Sequence, residues 1–164
     1  MRHQNTAIAA YKYNYDSTHR NFTFAPDMSR VHELKKSDQQ EAIEFLAIRP
    51  VHTVVMTSFI KDNGIESHHN RGRFFGYRNN KGALEGVALI GHTTLVEDRT
   101  EKALKALAFA AKTSETPIHL IMSSGNAAES FWQHYSDGIR QPRLTCTEML
   151  FEISFPYLVQ DCKH

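Results

Sequence analysis

A chain of 164 residues, 41% of them hydrophobic, is long enough to bury one core without disulfide or metal staples. Lys+Arg 19 against Asp+Glu 18 leaves a net charge of +1, which excludes attachment to nucleic acid or an anionic membrane surface by bulk charge. The two cysteines, Cys146 and Cys162, lack CxxC or Cys/His ligand spacing and suit a reducing cytoplasm; no stretch reaches the ~18 apolar residues of a membrane span, and residues 1–16 hold no secretory apolar run, so a cytoplasmic location is expected.

Residues 1–28 mix Asn, Tyr, Thr and His without a sustained period, and Pro26 closes them off, so they read as an arm or appended strand outside the core. The ordered domain is expected over 29–155. Residues 31–35 suit a short strand, and Ser37 with Gln40 reads as a capping box opening a helix that runs to about Ile48, before Pro50. Val51, Val54, Val55 and Phe59 recur at helical spacing and predict a second helix, with Gly64 just past its end.

The period then changes from helix to strand. Residues 73–78 are aromatic and short, Asn79-Asn80-Lys81-Gly82 is a turn cluster, and residues 83–91 resume as an apolar run, which together predict a β-hairpin. Leu84, Gly86, Ala88 and Ile90 share one face of the second strand and Glu85, Val87 and Leu89 the other, so that strand should be central. A short extended piece follows over 93–96. Asp98 and Glu101 read as the capping pair of a third helix, whose Leu104, Leu107, Ala108 and Ala111 form an apolar stripe. Pro117 precedes a buried strand over 118–122, and Ser123-Ser124-Gly125-Asn126 leads into a fourth helix with Ala128, Phe131, Trp132 and Tyr135 on one face, ended by Gly138. Residues 144–155 alternate Thr147, Met149, Phe151 and Ile153 against Glu148, Glu152 and Ser154, a long strand with one wetter face, stopped at Pro156; 156–164 read as a tail or the start of a linker. A helix crossing between the hairpin and the strand at 118–122 requires a parallel, right-handed connection, so the expected fold is α/β with a mixed sheet and helices on both faces.

Gly76-Tyr77 before the turn, Gly82 to Ala88 after it, and Asn126 opening a helix with Phe131-Trp132, in this order of elements, resemble the GNAT (GCN5-related N-acetyltransferase) superfamily. Over about residues 30–155 the chain is most similar to the degenerate amino-terminal GNAT-like domain of two-domain bacterial GNAT proteins. The resemblance implies the acyl-CoA N-acyltransferase fold and asks whether this copy holds a coenzyme. Family members place a Gln/Arg-x-x-Gly-x-Gly/Ala loop at the start of the third helix, where backbone N–H groups and the helix dipole face the pyrophosphate. The matching stretch here, Leu95-Val96-Glu97-Asp98-Arg99-Thr100-Glu101, has no glycine and presents carboxylates that Arg99 offsets only in part. Where the family uses a Phe-Tyr pair to protonate the leaving thiolate, this chain has Phe131-Trp132, and an indole N–H is no useful acid. If the chain is active nonetheless, Tyr135 and Glu85 are the catalytic candidates, with His92 another base, and Val87, Leu89, Ile90 and Arg99 would contact acetyl-CoA.

Other groupings have ordinary readings. His68-His69 with His92 or His52 lack the carboxylate or Cys of a ligand set, so no metal is expected. Ser123, Ser124, Gly125 and Asn126 lie between a buried strand and a helix, a place for an anion, and equally an ordinary cap and turn. Arg71, Arg73 and Arg78 among Phe74, Phe75 and Tyr77 suit an exposed hairpin without a nucleic-acid partner. The resulting expectation is a non-catalytic accessory, regulatory or substrate-receiving domain without a cofactor, partnered by a catalytic GNAT domain or by itself. The alternatives are an active N-acetyltransferase using acetyl-CoA and a homodimeric structural or sensor module in which the last strand pairs with its copy.

Overall fold

The computed structural model describes the backbone of residues 2–9 and the chain from 26 to 151. Among these residues seven strands make one sheet: β1 (Arg2–Ala9), β2 (Val31–Glu33), β3 (Gly72–Arg78), β4 (Leu84–Gly91), β5 (Thr93–Asp98), β6 (Leu120–Ser124) and β7 (Leu144–Phe151), in the spatial order β2-β3-β4-β5-β6-β1-β7. The helices are α1 (Gln39–Ala47), α2 (Val54–Asn63), α3 (Glu101–Thr113) and α4 (Ala127–Tyr135). Among the described residues only β5 and β6 run parallel, joined by α3 as a crossover, so the sheet is mixed, as the period changes require. Alternation along β4 sends Val87 and Leu89 into a core with α1 and α2, and Ala88 and Ile90 into a core with α3 and α4. Helices therefore cover both faces, and the α/β expectation holds.

Two glycines of the hairpin are fixed by packing. A Cβ on Gly86 would stand 2.9 Å from Leu107 Cδ1 and 3.0 Å from the Ala103 methyl, because α3 lies directly on β4 there. A Cβ on Gly76 would meet Leu34 Cδ2 at 2.7 Å and Leu84 Cδ2 at 2.8 Å. Both positions carry the family resemblance, and both are explained by close approach alone.

Several local expectations are corrected. The start of α1 is preceded by a 3₁₀ turn, and its return bond runs from Lys35 N–H to Asp38 Oδ2 at 2.9 Å, in place of a Ser37/Gln40 box. In α2 the buried residues are Met56 and Ile60, whereas Val54 and Val55 are about half exposed, at 51% and 47%. The competing stripe won because it faces the sheet. Asp98 ends β5 and does not cap α3; Thr100 does, its Oγ1 accepting from Ala103 N–H at 3.2 Å. The strand expected over 118–122 is shifted to Leu120–Ser124, and Asn126 makes no side-chain cap bond to α4.

The segment read as an arm contributes β1, whose backbone pairs antiparallel with β6 on one side and β7 on the other. It lies inside the sheet, not appended to it. That insertion makes β7 the edge among the described residues, and two residues of its expected apolar face are exposed, Met149 at 51% and Phe151 at 64%. Residues 152–155 of the expected last strand, and residues 156–164, fall outside the described residues.

Candidate functional site

In an open α/β sheet, ligands gather where parallel strands end and helices begin. Here that place is the carboxyl ends of β5 and β6 with the amino ends of α3 and α4. The β5–β6 ladder comprises Thr93/Leu120, Thr94/Ile121 and Leu95/Met122, although β5 runs on to Asp98 and β6 to Ser124. Beyond the last pair the Ser123 hydroxyl donates to Val96 O at 2.8 Å, tying the two strands by a side chain.

The β5 end is filled by an ionic cluster. Glu97 is 2% exposed and is paired with Arg99 and, at 3.3 Å, with Arg49. Arg99 also lies over the Phe45 ring, 4.5 Å from its centroid, and donates to Phe45 O at 3.2 Å. A carboxylate withdrawn this far from water requires such partners. Asp98 is pushed up to about 6, chiefly by burial and then by the charges of Glu97 and Glu101. The entrance to α3 is likewise bonded to the protein: Arg99 N–H donates to Glu85 O at 2.8 Å, and the Thr100 hydroxyl serves both as cap and as donor to Glu85 Oε2 at 3.2 Å.

A coenzyme pyrophosphate would need free backbone N–H groups and a bare backbone at this strand end. The stretch from Leu95 to Glu101 has no glycine whose bare backbone could approach a phosphate, Thr100 takes an N–H of the first turn, and the carboxylates of Glu97, Asp98 and Glu101 are only partly offset by Arg99 and Arg49, which are themselves held by Glu97.

The remaining predicted residues are scattered. Glu85 accepts from Asn79 Nδ2 at 2.9 Å and from Thr100, so it clasps the hairpin turn to α3. Val87, Leu89 and Ile90 are buried in β4, which is laddered on both sides by β3 and β5. Tyr135 stacks on Trp132 at 5.8 Å, and burial pushes its phenol above the ordinary value while Arg140 pulls it back in part. Ser123 and Ser124 are buried at the end of β6, with Gly125 in the left-handed turn and Asn126 leading into α4. His92 Nδ1 lies 2.9 Å from Pro117 O and its ring 4.9 Å from His119, while His68 and His69 stack on each other. Among the described residues no group of three or more His, Cys, Asp or Glu is placed to hold a metal, and no helix is long and apolar enough to cross a membrane.

The sequence reading missed Arg49 and Phe45. Nothing local marks Arg49 as a partner of Glu97, because the contact spans 48 residues of chain. A second feature it missed is a cleft of about 380 Å3 beside the end of α4, lined by Trp132, Ser136, Gly138, Arg140, Pro142 and Thr145 among others. Its wall is held by Trp132 Nε1, which donates to Arg140 O at 2.8 Å.

No protein-family model matches the chain, and no curated protein matches it. Among solved structures, the chain is similar to a protein from Novosphingobium aromaticivorans DSM 12444 assigned to the GNAT acetyltransferase family, at 12% identity and a TM-score of 0.39. That similarity covers 94% of this chain and 66% of the other, so this chain spans just under two thirds of that structure's length.

Proposed function

We propose that the chain is a GNAT-like domain that transfers no acyl group and acts through protein contacts, as an accessory domain to an acetyltransferase. The observation that carries this reading is the buried Glu97 with Arg49 and Arg99: the protein's own charges occupy the strand end where an acyl-transfer domain would receive its coenzyme. Two further points support it. The order β2-α1-α2-β3-β4-β5-α3-β6-α4-β7 is the order the resemblance implies, and Trp132 spends its N–H on Arg140 O.

An active N-acetyltransferase is the second reading, and one observation favours it: the β5–β6 ladder stops at Leu95/Met122 while both strands continue. The Ser123 to Val96 bond across the continuation weighs against an acyl chain entering there. Calorimetric titration of acetyl-CoA into the purified chain separates the two. The accessory reading predicts no saturable heat up to about 1 mM ligand, a free energy of only about 4 kcal/mol. Saturable binding in the micromolar range would overturn it, and Tyr135→Phe and Glu85→Gln would then be assayed against amine substrates.

A further inference from the structure

The two edges of the sheet differ. The β2 edge is three residues long and carries Glu33, in contact with Lys35 and Arg73, which suits an edge that stays unpaired. The β7 edge is eight residues long, with Glu148 its one charge and Leu144, Met149 and Phe151 exposed. Among the described residues, no strand lies beyond it. A long, nearly uncharged edge with exposed apolar side chains is a template for another strand.

Its own sequence identifies the strand that fits. Ile121, in the core shared with α3 and α4, pairs with position 8, and position 8 pairs with Thr145. Thr145 therefore lies on the α4 side of the sheet, consistent with its place in the cleft wall, and the two-residue period puts Thr147, Met149 and Phe151 on the same side. One end of this face thus holds a cleft and the other holds two exposed apolar side chains, about 14 Å apart along the strand. A two-fold axis through Thr147 superposes them: Thr145 comes opposite Met149 of the second copy, and Phe151 of that copy comes opposite Arg143, one pleat further on and beside Pro142. The same axis does this twice, as an isologous contact requires. On the opposite face Leu144 meets Leu150 of the second copy. Glu148 meets Cys146 of the copy and avoids its own counterpart, whereas moving the axis by one residue to Glu148 sets two carboxylates face to face.

We propose that two copies of this chain pair antiparallel through β7, centred on Thr147, with Met149 and Phe151 of each copy closing the Trp132 cleft of the other. The contact is independent of whether the β5 end binds a coenzyme: its readout is mass, not heat.

Light scattering on the eluting protein at about 10–100 µM, concentrations that a micromolar contact saturates, should give twice 18.8 kDa. Met149→Lys with Phe151→Lys, both at exposed positions, should halve the mass while leaving the far-ultraviolet circular dichroism unchanged. The register is read from Thr145→Cys with Met149→Cys in a background with Cys146→Ser and Cys162→Ser. These two sites lie too far apart on one strand for an internal bridge, so oxidation should give a covalent dimer. A monomeric mass for the parent chain, a dimer that survives the double lysine variant, or no cross-link from the cysteine pair would each overturn the proposal.

Discussion

Arg99→Met and Glu97→Gln attack the same ion pair from opposite ends, and burial predicts that they are unequal. The Glu97 side chain is 2% exposed, while Arg99 is 25% and Arg49 37% exposed. Losing Arg99 strands a carboxylate that has no route to water, leaving only Arg49 at 3.3 Å, and removes the contacts of the guanidinium with the Phe45 ring and carbonyl. Breaking a buried pair in this way costs about 3–5 kcal/mol; with Arg49 retained, about 3 kcal/mol is expected. Losing the charge of Glu97 leaves two guanidinium groups that already touch solvent, and glutamine keeps one acceptor of the same shape, so about 1–2 kcal/mol is expected. Urea unfolding followed by fluorescence of Trp132, the single tryptophan, measures both values. In a thermal melt, the arginine variant should fall by about 6–12 °C. If Glu97→Gln proves as costly as Arg99→Met, the asymmetry of burial is not what governs the cluster. If both cost under about 1 kcal/mol, the site is wet, and the argument that it is closed to a coenzyme fails with it.

Asp98 should act in the opposite sense. Its carboxyl sits at about 6 in the folded chain against an ordinary 3.8, so between those values the folded state binds the extra proton and stability falls as pH rises. Asp98→Asn should therefore add about 1 kcal/mol at pH 7, discounted for the partial solvent contact of the group, and nothing near pH 4; urea midpoints at the two pH values check this. Gly86→Ala should destabilise by about 1–3 kcal/mol in the same assay, because its methyl would meet Leu107 Cδ1 at 2.9 Å and the Ala103 methyl at 3.0 Å, and the latter moves only with the α3 backbone.

The parts of this fold that sequence makes legible are those written in neighbouring residues. The β3–β4 hairpin follows from a turn cluster between two apolar runs, and α3 from one unambiguous stripe whose members are all buried. Where two patterns compete, reading fails: Val51, Val54, Val55 and Phe59 and the pair Met56 and Ile60 are both helical series, and only the position of the sheet chooses between them. Caps slip for a related reason. Asp98 and Thr100 are both good cap residues, and the length of β5 decides which one stands at the helix entrance. β1 shows no signal because RHQNTAIA has neither alternation nor a turn, and its role comes from the two strands beside it. At the candidate site, the missing glycine is visible in the sequence, but the burial of Glu97 is not. A carboxylate on a strand reads as solvated until Arg49 and Phe45 arrive from the α1 region.

The position of β1 bears on how the chain folds. Its partners are Leu120–Ser124 and Leu144–Phe151, so the interior of the sheet on that side joins the first residues described to the last. Contacts of such sequence separation are slow to form, since a loop spanning nearly the whole chain must close before any bond rewards it. During synthesis β1 can add to β6 once that strand has left the ribosome, before β7 is there to cover its other side. Until β7 arrives the outer side of β1 is an open strand edge, and the intermediate lacking β7 is the one most prone to aggregate.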